Sequence, residues 1–323
     1  MNVGDTAEAR GLPIGELGAV VTVGTFDGMH RGHQDVLIKL VARGVESGRP
    51  SVVVTFDPHP LQVVNPLAAP PLLTTHREKL EILAQIGVSY VAVLPFTTWL
   101  AALGAEQFVD DVLRARYRMT ELLVGHDHGF GRGRMGDSGL LQAVGGERGF
   151  AVTVLEPINA PDGRAVSSTT IRRAVAAGDL ELAAEGLGRP YCLSGKVVSG
   201  DQRGRRLGYP TINLESPPTQ KLLPPDGVYA VRVQTPQGER GGMLNLGPRP
   251  TFGDLTRRIE THVFDVSHNW YGALGRIDLI HRLRDTMTFP DAAALAEQLG
   301  RDEDAARQAL RLPDPKEKAI GDA

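Results

Sequence analysis

Two histidines, His30 and His33, lie three residues apart where an apolar run passes into a pattern of helical spacing. Residues three apart in a helix share a face, and the first turn of a helix offers free N–H groups and the positive end of the dipole to an anion. The preceding segment, 24–28, reads Gly-Thr-Phe-Asp-Gly, and its glycines let the backbone approach a ligand closely. We therefore expect a phosphate site built for nucleotide chemistry. Two ordinary surface histidines are the alternative interpretation.

A second group of candidate phosphate ligands stands at the start of a later helical pattern. Ser168, Thr169 and Arg172 combine hydroxyl donors with a guanidinium that can hold a polyphosphate. Ser168 or Thr169 could equally be a helix cap, and these residues alone do not separate the two interpretations. His59, which lies between two prolines after the second apolar run, could point into the same crevice or be a plain loop residue.

A glycine- and arginine-rich segment in the second half is typical of a flexible, cationic flap over phosphates. It contains Gly200, Arg203 and Gly208. A solvated hairpin loop is the alternative interpretation, because such loops are often only surface.

Polar residues that suit a metal-bound nucleotide follow that segment. Thr211 and Asn213 come directly after Pro210, and in an extended chain their side chains share one face. Their neutral oxygens suit the Mg²⁺ that ATP carries. Glu260 alternates with the apolar residues of a later run, which is usual for the solvated face of a strand, but beside an ATP site it becomes a candidate general base.

The elements that must position these residues differ between the two halves. Up to about residue 185, short apolar runs alternate with helical patterns, which predicts a doubly wound parallel sheet with its ligand at the C-terminal strand ends. The expected strands cover 19–23, 51–56, 90–94, 122–125 and 152–155, and the expected helices include 76–85 and 105–117. After about residue 190 the pattern predicts a small antiparallel barrel followed by helices. Its expected strands cover 191–199, 227–235, 241–246, 258–266 and 277–283, a hairpin turn covers 236–238, and two helices cover 291–299 and 302–312.

Bulk composition narrows the class of protein. The chain has 323 residues, 41% of them hydrophobic and 23% charged, with a net charge of −3. That charge argues against binding nucleic acid through bulk electrostatics. The single cysteine, Cys192, cannot form an intrachain disulfide, no apolar run is long enough for a membrane span, and the N-terminus lacks a signal-peptide pattern. We expect a cytoplasmic protein without a nucleic-acid or membrane partner.

Two further motifs, a possible dinucleotide fingerprint and a possible metal cluster, give only weak evidence of a site. The segment 131–136 fits G-x-G-x-x-G, but it stands too far from its strand end for a dinucleotide fingerprint. His126, Asp127 and His128 contain metal-ligating types, but adjacent side chains rarely converge on one ion.

Several segments resemble known families. The stretch 24–33 resembles the G-x-F-D-G-x-H-x-G-H signature of the HxGH nucleotidyltransferases, and 167–172 resembles the S-S-T-x-I-R element that ends their domain. In the second half, riboflavin kinases are resembled by the segments 208–213, 227–231, 245–252, 260–265, 271–272 and 282–284. The segment 187–191 resembles the junction that joins the two domains in the bacterial bifunctional family. From about residue 20 to 312 the chain is similar to the bacterial bifunctional riboflavin kinase/FMN adenylyltransferase (FAD synthetase) family. The resemblance implies an adenylyltransferase domain over 1–186 and a kinase domain over 187–312, and we expect the tail 313–323 to be disordered.

The resemblance also implies substrates and roles. Riboflavin, FMN and ATP would be the substrates, Mg²⁺ would accompany ATP, and flavins would be both substrate and product. Glu260 would be the base of the kinase, and His30, His33 and Arg172 would stabilise charge during adenylyl transfer. In the adenylyltransferase, ATP would be bound by Gly24, Thr25, Phe26, Asp27, Gly28, Ser168 and Thr169, and the flavin by His59, Asp127 and His128. In the kinase, ATP would be bound by Gly200, Arg203, Gly208, Pro210 and Thr211, and the metal by Thr211 and Asn213.

Two alternatives remain open from the sequence. His128 stands where the family carries an aromatic residue, so the protein could be a riboflavin kinase with an impaired adenylyltransferase half. A flavin-binding protein without catalysis is the other alternative. The oligomeric state does not follow from the sequence.

Overall fold

The computed structural model describes residues 12, 14–126, 129, 131, 136–158, 163, 166–200, 204, 207–218, 220–235, 237–248, 257–266 and 270–312. The chain divides into two compact units, residues 1–168 and 169–323. Each unit has its own sheet and its own buried core, so each is taken in turn.

The first unit is built on a parallel sheet of five strands. They are β1 (Ala19–Val23), β2 (Ser51–Asp57), β3 (Tyr90–Pro95), β4 (Met119–Gly125) and β5 (Ala151–Leu155). Their order across the sheet is β3-β2-β1-β4-β5, and every neighbouring pair is parallel. The order reverses next to β1, and in open α/β sheets the ligand crevice lies at that reversal, beyond the carboxyl ends of the strands.

Helices connect these strands. They are α1 (Arg31–Ser47), α2 (Pro60–Val64), α3 (His76–Ile86), α4 (Thr98–Ala102), α5 (Ala105–Gln107), α6 (Ala115–Tyr117) and α7 (Ser138–Arg148). A short 3₁₀ turn covers Pro66–Ala68, and a π-helical stretch, Phe108–Arg114, joins α5 to α6.

The sheet is covered on both faces, which makes the fold doubly wound. On one face, Val20 and Val53 pack with Leu37 of α1 and Leu83 of α3. On the other face, Val21, Val52 and Val54 pack with apolar residues of the π-helical stretch and of α7. Because side chains alternate along a strand, a run such as Ala19–Val23 is buried throughout only when both faces are covered.

The second unit contains a closed antiparallel barrel. Its strands are β6 (Tyr191–Val198), β7 (Thr211–Leu214), β8 (Gly227–Thr235), β9 (Gly238–Pro248), β10 (Arg257–Val263) and β11 (Leu274–Arg284), closing in the order β10-β7-β6-β11-β8-β9. Two helices, α8 (Ser168–Ala177) and α9 (Leu180–Leu187), precede the barrel, and α10 (Ala292–Leu310) follows it. Apolar residues of α10 pack on the barrel wall, with Ala306 and Leu310 against Ala230, Met243 and Phe264.

The fold class predicted from the sequence is confirmed in both halves, and most strands agree to within a few residues. The helix expected over 105–117 exists, with a π-helical centre that the pattern did not indicate. Two details were wrong. The strand expected over 258–266 ends at Val263, because Phe264 and Asp265 turn, with Asp265 at a φ of 57°. The two helices expected near the C-terminus are one helix, which passes through Gly300 without a break.

β7 is a strand that the sequence pattern did not separate from its loop. The two compact units part at residue 168, which leaves α8 and α9 with the barrel, and this division into units does not test the boundary between the two activities. The domain boundary at 186/187 therefore stays a prediction. The tail 313–323 lies outside the described residues.

Candidate functional site

The first candidate site is the loop that links β1 to α1. It leaves the carboxyl end of the central strand, where Gly24 donates its N–H to Val54 O at 3.0 Å. Phe26 and Met29 lie in the left-handed region, with φ of 48° and 46°. Gly28 has a φ of 81°, and a Cβ there would meet the side chain of Leu73 at 2.7 Å, so glycine is required on both counts. The loop is therefore a strained segment whose conformation its surroundings must impose.

Asp27 holds this loop against the segment before α3. Its carboxylate accepts hydrogen bonds from Leu73 N at 3.0 and 3.1 Å, and from Thr74 N at 3.0 Å and Thr74 Oγ1 at 3.2 Å. Gly28 N donates in turn to Thr74 Oγ1 at 3.0 Å. Asp27 is 3% exposed, so its carboxylate serves as an internal anchor of the loop. A contact of Asp27 with ATP stays a prediction.

The two histidines meet at the N-terminus of α1. Their rings stack with centroids 3.6 Å apart. His30 is the N-cap residue, and its Nδ1 accepts the backbone N–H of His33 at 3.4 Å. With Nδ1 acting as acceptor, the proton of a neutral His30 lies on Nε2, which can then donate to a phosphate oxygen. Phe26, which is buried, packs edge-on against His33 with centroids 5.3 Å apart. The expected pairing of His30 and His33 on one helix start is therefore what the structure shows.

Ser168, the last residue of the first unit, contacts the same loop. Its Oγ donates to Asp27 O at 2.9 Å. Ser168 was expected to be either a phosphate ligand or a helix cap. This contact is neither, because the hydroxyl bonds the backbone of the loop. Thr169 is exposed and Arg172 is half-buried, both within α8. Their binding of ATP stays a prediction.

One buried cation beneath this loop was missed by the sequence analysis. Lys79 on α3 is 8% exposed, and its Nζ donates to Thr25 O at 2.7 Å. Burial lowers the pKa of Lys79, an effect that the carboxylates of Asp27 and Asp57 partly offset. The available signal was its position in the helix, because Lys79 shares the apolar stripe of Ile82 and Leu83.

The flavin-binding residues expected in this unit are only partly described. His59 caps α2, with its Nδ1 accepting Leu61 N at 3.2 Å. Asp127 and His128 lie outside the described residues, as do parts of the 131–136 glycine segment. Flavin binding by these three residues stays a prediction.

The second candidate site lies on the wall of the barrel, around Glu260. Along β10, Ile259, Thr261 and Val263 are buried, whereas Glu260 is only half-buried, so its side chain faces the opposite way. In register, Glu260 stands opposite Asn213 of β7 on one side and Asn245 of β9 on the other. Directly opposed residues of antiparallel strands have their side chains on the same face. The carboxylate is therefore flanked by two amides.

Asn213 places a buried side-chain oxygen, a candidate metal ligand, beside the Glu260 carboxylate. It is 6% exposed, and its buried Oδ1 has no hydrogen-bond partner among the described residues. Thr211 lies two residues earlier in β7, so its hydroxyl shares this face. A buried oxygen without a donor is costly unless a cation occupies its lone pairs, and Mg²⁺ prefers oxygen ligands. Both residues expected to hold the metal thus fit one.

Gly200 makes room for Asn213. A Cβ at Gly200 would lie 2.1 Å from Asn213 Nδ2, closer than any side chain allows. The glycine of the flap expected from the sequence is therefore needed where the chain passes this amide. Gly208, Pro210 and the rest of the P-T-x-N segment lead directly into β7, whereas Arg203 lies outside the described residues.

His262 ties that segment to β10 and was not singled out from the sequence. It stands opposite Thr211 in register, and its Nδ1 is 2.7 Å from Pro210 O. Since a carbonyl can only accept, Nδ1 carries the hydrogen. The ring also packs edge-on against Tyr209 and Phe264, with centroids 5.2 and 5.8 Å away. These contacts hold the start of β7 and so the position of Thr211.

The described part of the chain has neither a membrane-spanning helix nor a cluster of charged or sulfur metal ligands. No helix there is both long and apolar enough to cross a bilayer. No group of three or more His, Cys, Asp or Glu side chains in the described ranges could hold a metal ion. The candidate metal ligands Thr211 and Asn213 offer neutral oxygens and belong to other residue types than these four.

Comparison with known proteins gives each unit its class. The FAD synthetase family model matches residues 15–170, and the riboflavin kinase family model matches residues 187–310. The first candidate site therefore lies in a nucleotidyltransferase domain and the second in a kinase domain.

Full-length relatives join the two classes in one protein. The bifunctional riboflavin kinase/FMN adenylyltransferase of Escherichia coli (strain K12) is 40% identical over 300 residues, covering 92% of this chain and 95% of the relative. That of Pseudomonas fluorescens is 38% identical over 297 residues, with 92% and 94% covered. A crystal structure from Streptococcus pneumoniae, described as a macrolide-efflux protein, is 30% identical with a TM-score of 0.81, covering 93% of this chain and 96% of that one. The chain belongs to the bifunctional riboflavin kinase/FMN adenylyltransferase family.

Proposed function

We propose that the two activities of this family are divided between the two sites of this chain. The protein is an enzyme of FAD synthesis that phosphorylates riboflavin and then adenylylates the FMN so formed. The observation that supports the division is that each polar site lies within the residues matched by one family model. The β1–α1 loop falls in 15–170, and the Asn213–Glu260 pair falls in 187–310.

In the barrel, Glu260 acts as the general base. Its carboxylate takes the proton of the ribityl 5′-hydroxyl of riboflavin, the oxygen attacks the γ-phosphorus of ATP, and ADP leaves. FMN and ADP are the products. The half-buried position between Asn213 and Asn245 leaves the carboxylate open to a substrate hydroxyl, with amides that can orient it.

Thr211 and Asn213 hold Mg²⁺ that arrives with ATP. The ion supplies neutralisation of charge on the phosphates. The orphaned Asn213 Oδ1 supports this assignment, and Gly200 keeps the amide in place by leaving space for it. Gly200, Arg203, Gly208, Pro210 and Thr211 are the proposed ATP contacts of this site.

In the proposed adenylyltransferase reaction, FMN attacks a second ATP. A phosphate oxygen of FMN attacks the α-phosphorus, the bond to the β-phosphate breaks, and FAD and pyrophosphate form without a covalent enzyme intermediate. His30 Nε2–H, His33 and Arg172 donate to the phosphates as their charge shifts, and preorganised donors of this kind usually supply the largest part of such catalysis. The loop 24–28, Ser168 and Thr169 bind ATP, and His59, Asp127 and His128 contact the flavin.

The experiment is chromatography of flavins after the purified protein is incubated with riboflavin, ATP and Mg²⁺. The expected result is FMN followed by FAD, with pyrophosphate released in the second step. Accumulation of FMN without FAD would indicate that only the kinase is active. It would favour the alternative in which His128 impairs the adenylyltransferase. No conversion of riboflavin or of added FMN would favour a flavin-binding protein without catalysis.

Two broader expectations accompany this proposal. The boundary between the activities lies near 186/187, between the two matched family models. A cytoplasmic location fits substrates such as ATP, and fractionation of cells that express the full chain would test it.

A further inference from the structure

Lys79 is a buried cation that the proposed mechanism does not use. It lies on the apolar stripe of α3 and is 8% exposed, with Nζ 2.7 Å from Thr25 O and 3.4 Å from Thr55 Oγ1. Taking an ammonium out of water is expensive unless it is paired and hydrogen-bonded. A methionine or leucine would fill the same stripe without that expense. The buried ammonium of Lys79 is therefore expected to have a function other than packing.

The loop above Lys79 needs an external restraint. Phe26 and Met29, neither of them glycine, adopt φ of 48° and 46°, a region that residues with a Cβ rarely occupy. A strained loop persists only when its surroundings over-determine it. Asp27 provides one restraint through Leu73 and Thr74, and Ser168 provides another through Asp27 O.

Lys79 provides a restraint at the other end of the loop, where the chain leaves β1. Its bond to Thr25 O fixes the peptide that directly precedes Phe26, the first left-handed residue. The carboxylates of Asp27, within the loop, and of Asp57, at the end of β2, both attract the ammonium. The loop is thus held from both ends, with a positive charge on one side.

We propose that Lys79 is a positioning residue for adenylyl transfer, whose ammonium holds the 24–28 loop in the conformation that receives ATP. The proposal rests on the proposed function of this loop and assigns Lys79 no contact with substrate. A loop that is competent only part of the time weakens apparent ligand affinity by the competent fraction. Loss of the ammonium should therefore act on the KM for ATP more than on kcat.

We expect a protein with Lys79 replaced to fold. Thr55 Oγ1 also donates to Thr25 O, at 3.3 Å, so the carbonyl keeps a donor when the ammonium is removed. Methionine has a similar length and suits the apolar stripe. Lys79→Met is therefore the primary variant, and Lys79→Arg, which keeps a charged donor, is the conservative one. Lys39→Met is the matched control, because Lys39 is an exposed helix lysine paired with Asp35.

The activity test measures adenylyl transfer from supplied FMN and ATP, with riboflavin phosphorylation measured in the same samples. Lys79→Met should raise the KM for ATP in FAD formation by about tenfold or more, with kcat within about threefold of the parent. Lys79→Arg should recover part of that loss. Lys39→Met should match the parent, and riboflavin phosphorylation should be unchanged in all three variants.

A second readout does not depend on the reaction at all. Hydrogen exchange of the Gly28, Leu73 and Thr74 amides reports the loop directly, because all three are hydrogen-bonded to the loop or its anchor. Exchange should be about tenfold faster or more in Lys79→Met and unchanged in Lys39→Met. If the parent makes no FAD, the proposed function fails, whereas this exchange still decides the role of Lys79.

Three results would overturn the proposal. One is parent-like exchange and an unchanged KM for ATP in Lys79→Met. Another is a large fall in kcat at an unchanged KM, which would place Lys79 among the groups that contact the reacting phosphates. The third is a parallel fall in riboflavin phosphorylation, which would make Lys79 a residue of general stability.

Discussion

Glu260→Gln separates the two proposed activities most sharply. Glutamine keeps the size of the side chain and its place between Asn213 and Asn245 but cannot accept a proton as a base. A general base contributes about 10²–10⁴-fold to rate, equal to about 2.7–5.5 kcal/mol of transition-state stabilisation. Because Glu260 is half-buried on the outer face of β10, the free energy of unfolding should change by less than about 0.5 kcal/mol. Riboflavin phosphorylation should therefore fall at least about a hundredfold in a folded protein.

The assay for Glu260→Gln follows FMN formation from riboflavin and, separately, FAD formation from supplied FMN. FAD formation should keep the parent rate. Glu239→Gln is the matched control, since Glu239 is a barrel carboxylate at the β8–β9 hairpin that pairs with Arg232 on the surface. A kinase rate within about threefold of the parent would refute the assignment of the base. An equal loss of both activities would refute the division of labour.

Three further predictions concern the metal, the barrel and the buried lysine. Asn213→Ala removes a buried oxygen, so the Mg²⁺ concentration for half-maximal riboflavin phosphorylation should rise about tenfold or more. An unchanged Mg²⁺ titration would show that Asn213 is not a metal ligand. Arg284→Met leaves the buried Asp302 carboxylate without its ion pair, so urea unfolding should show a loss of about 3–5 kcal/mol, most of it recovered when Asp302→Leu is added. No recovery in the double variant would contradict that account. Lys79 has a pKa below its ordinary value of 10.5 because it is buried, so the folded state binds fewer protons than the unfolded chain as pH rises toward that value. The stability of the parent relative to Lys79→Met should therefore increase with pH through the alkaline range, and a pH-independent difference in urea unfolding would contradict the lowered pKa.

The C-terminal helix shows where local pattern misled. The two helices expected over 291–299 and 302–312 leave out Gly300, and glycine in a helix interior costs about 1 kcal/mol relative to alanine. The structure continues through Gly300 because α10 packs on the barrel on both sides of this residue, with Leu299 before it and Ala306 after it. Asp302 pairs with Arg284 at 2.6 Å, and Arg307 lies over the ring of Phe264 at 4.5 Å and bonds Asp265 at 2.9 Å. Tertiary contacts outweighed the local preference.

Local chemistry in the sequence was enough to predict several features of both sites. The buried strand before Gly24, the paired histidines at a helix start and the outward direction of Glu260 all follow from periods of 3.6 and 2, which act over a few residues. The motifs and their order along the chain indicated the family, and the family implied the expected substrates.

Contacts between distant segments were decided only by the tertiary structure. Asp27 bonds a segment 46 residues away, and Lys79 bonds Thr25 across 54 residues. Asn213 and Asn245 meet Glu260 because the barrel closes with one particular register. Periodicity tells which way a side chain faces, whereas its partner depends on which strands pair and on how the chain closes. For that reason the reactive residues could be recognised in the sequence, and the groups that hold them in place could not.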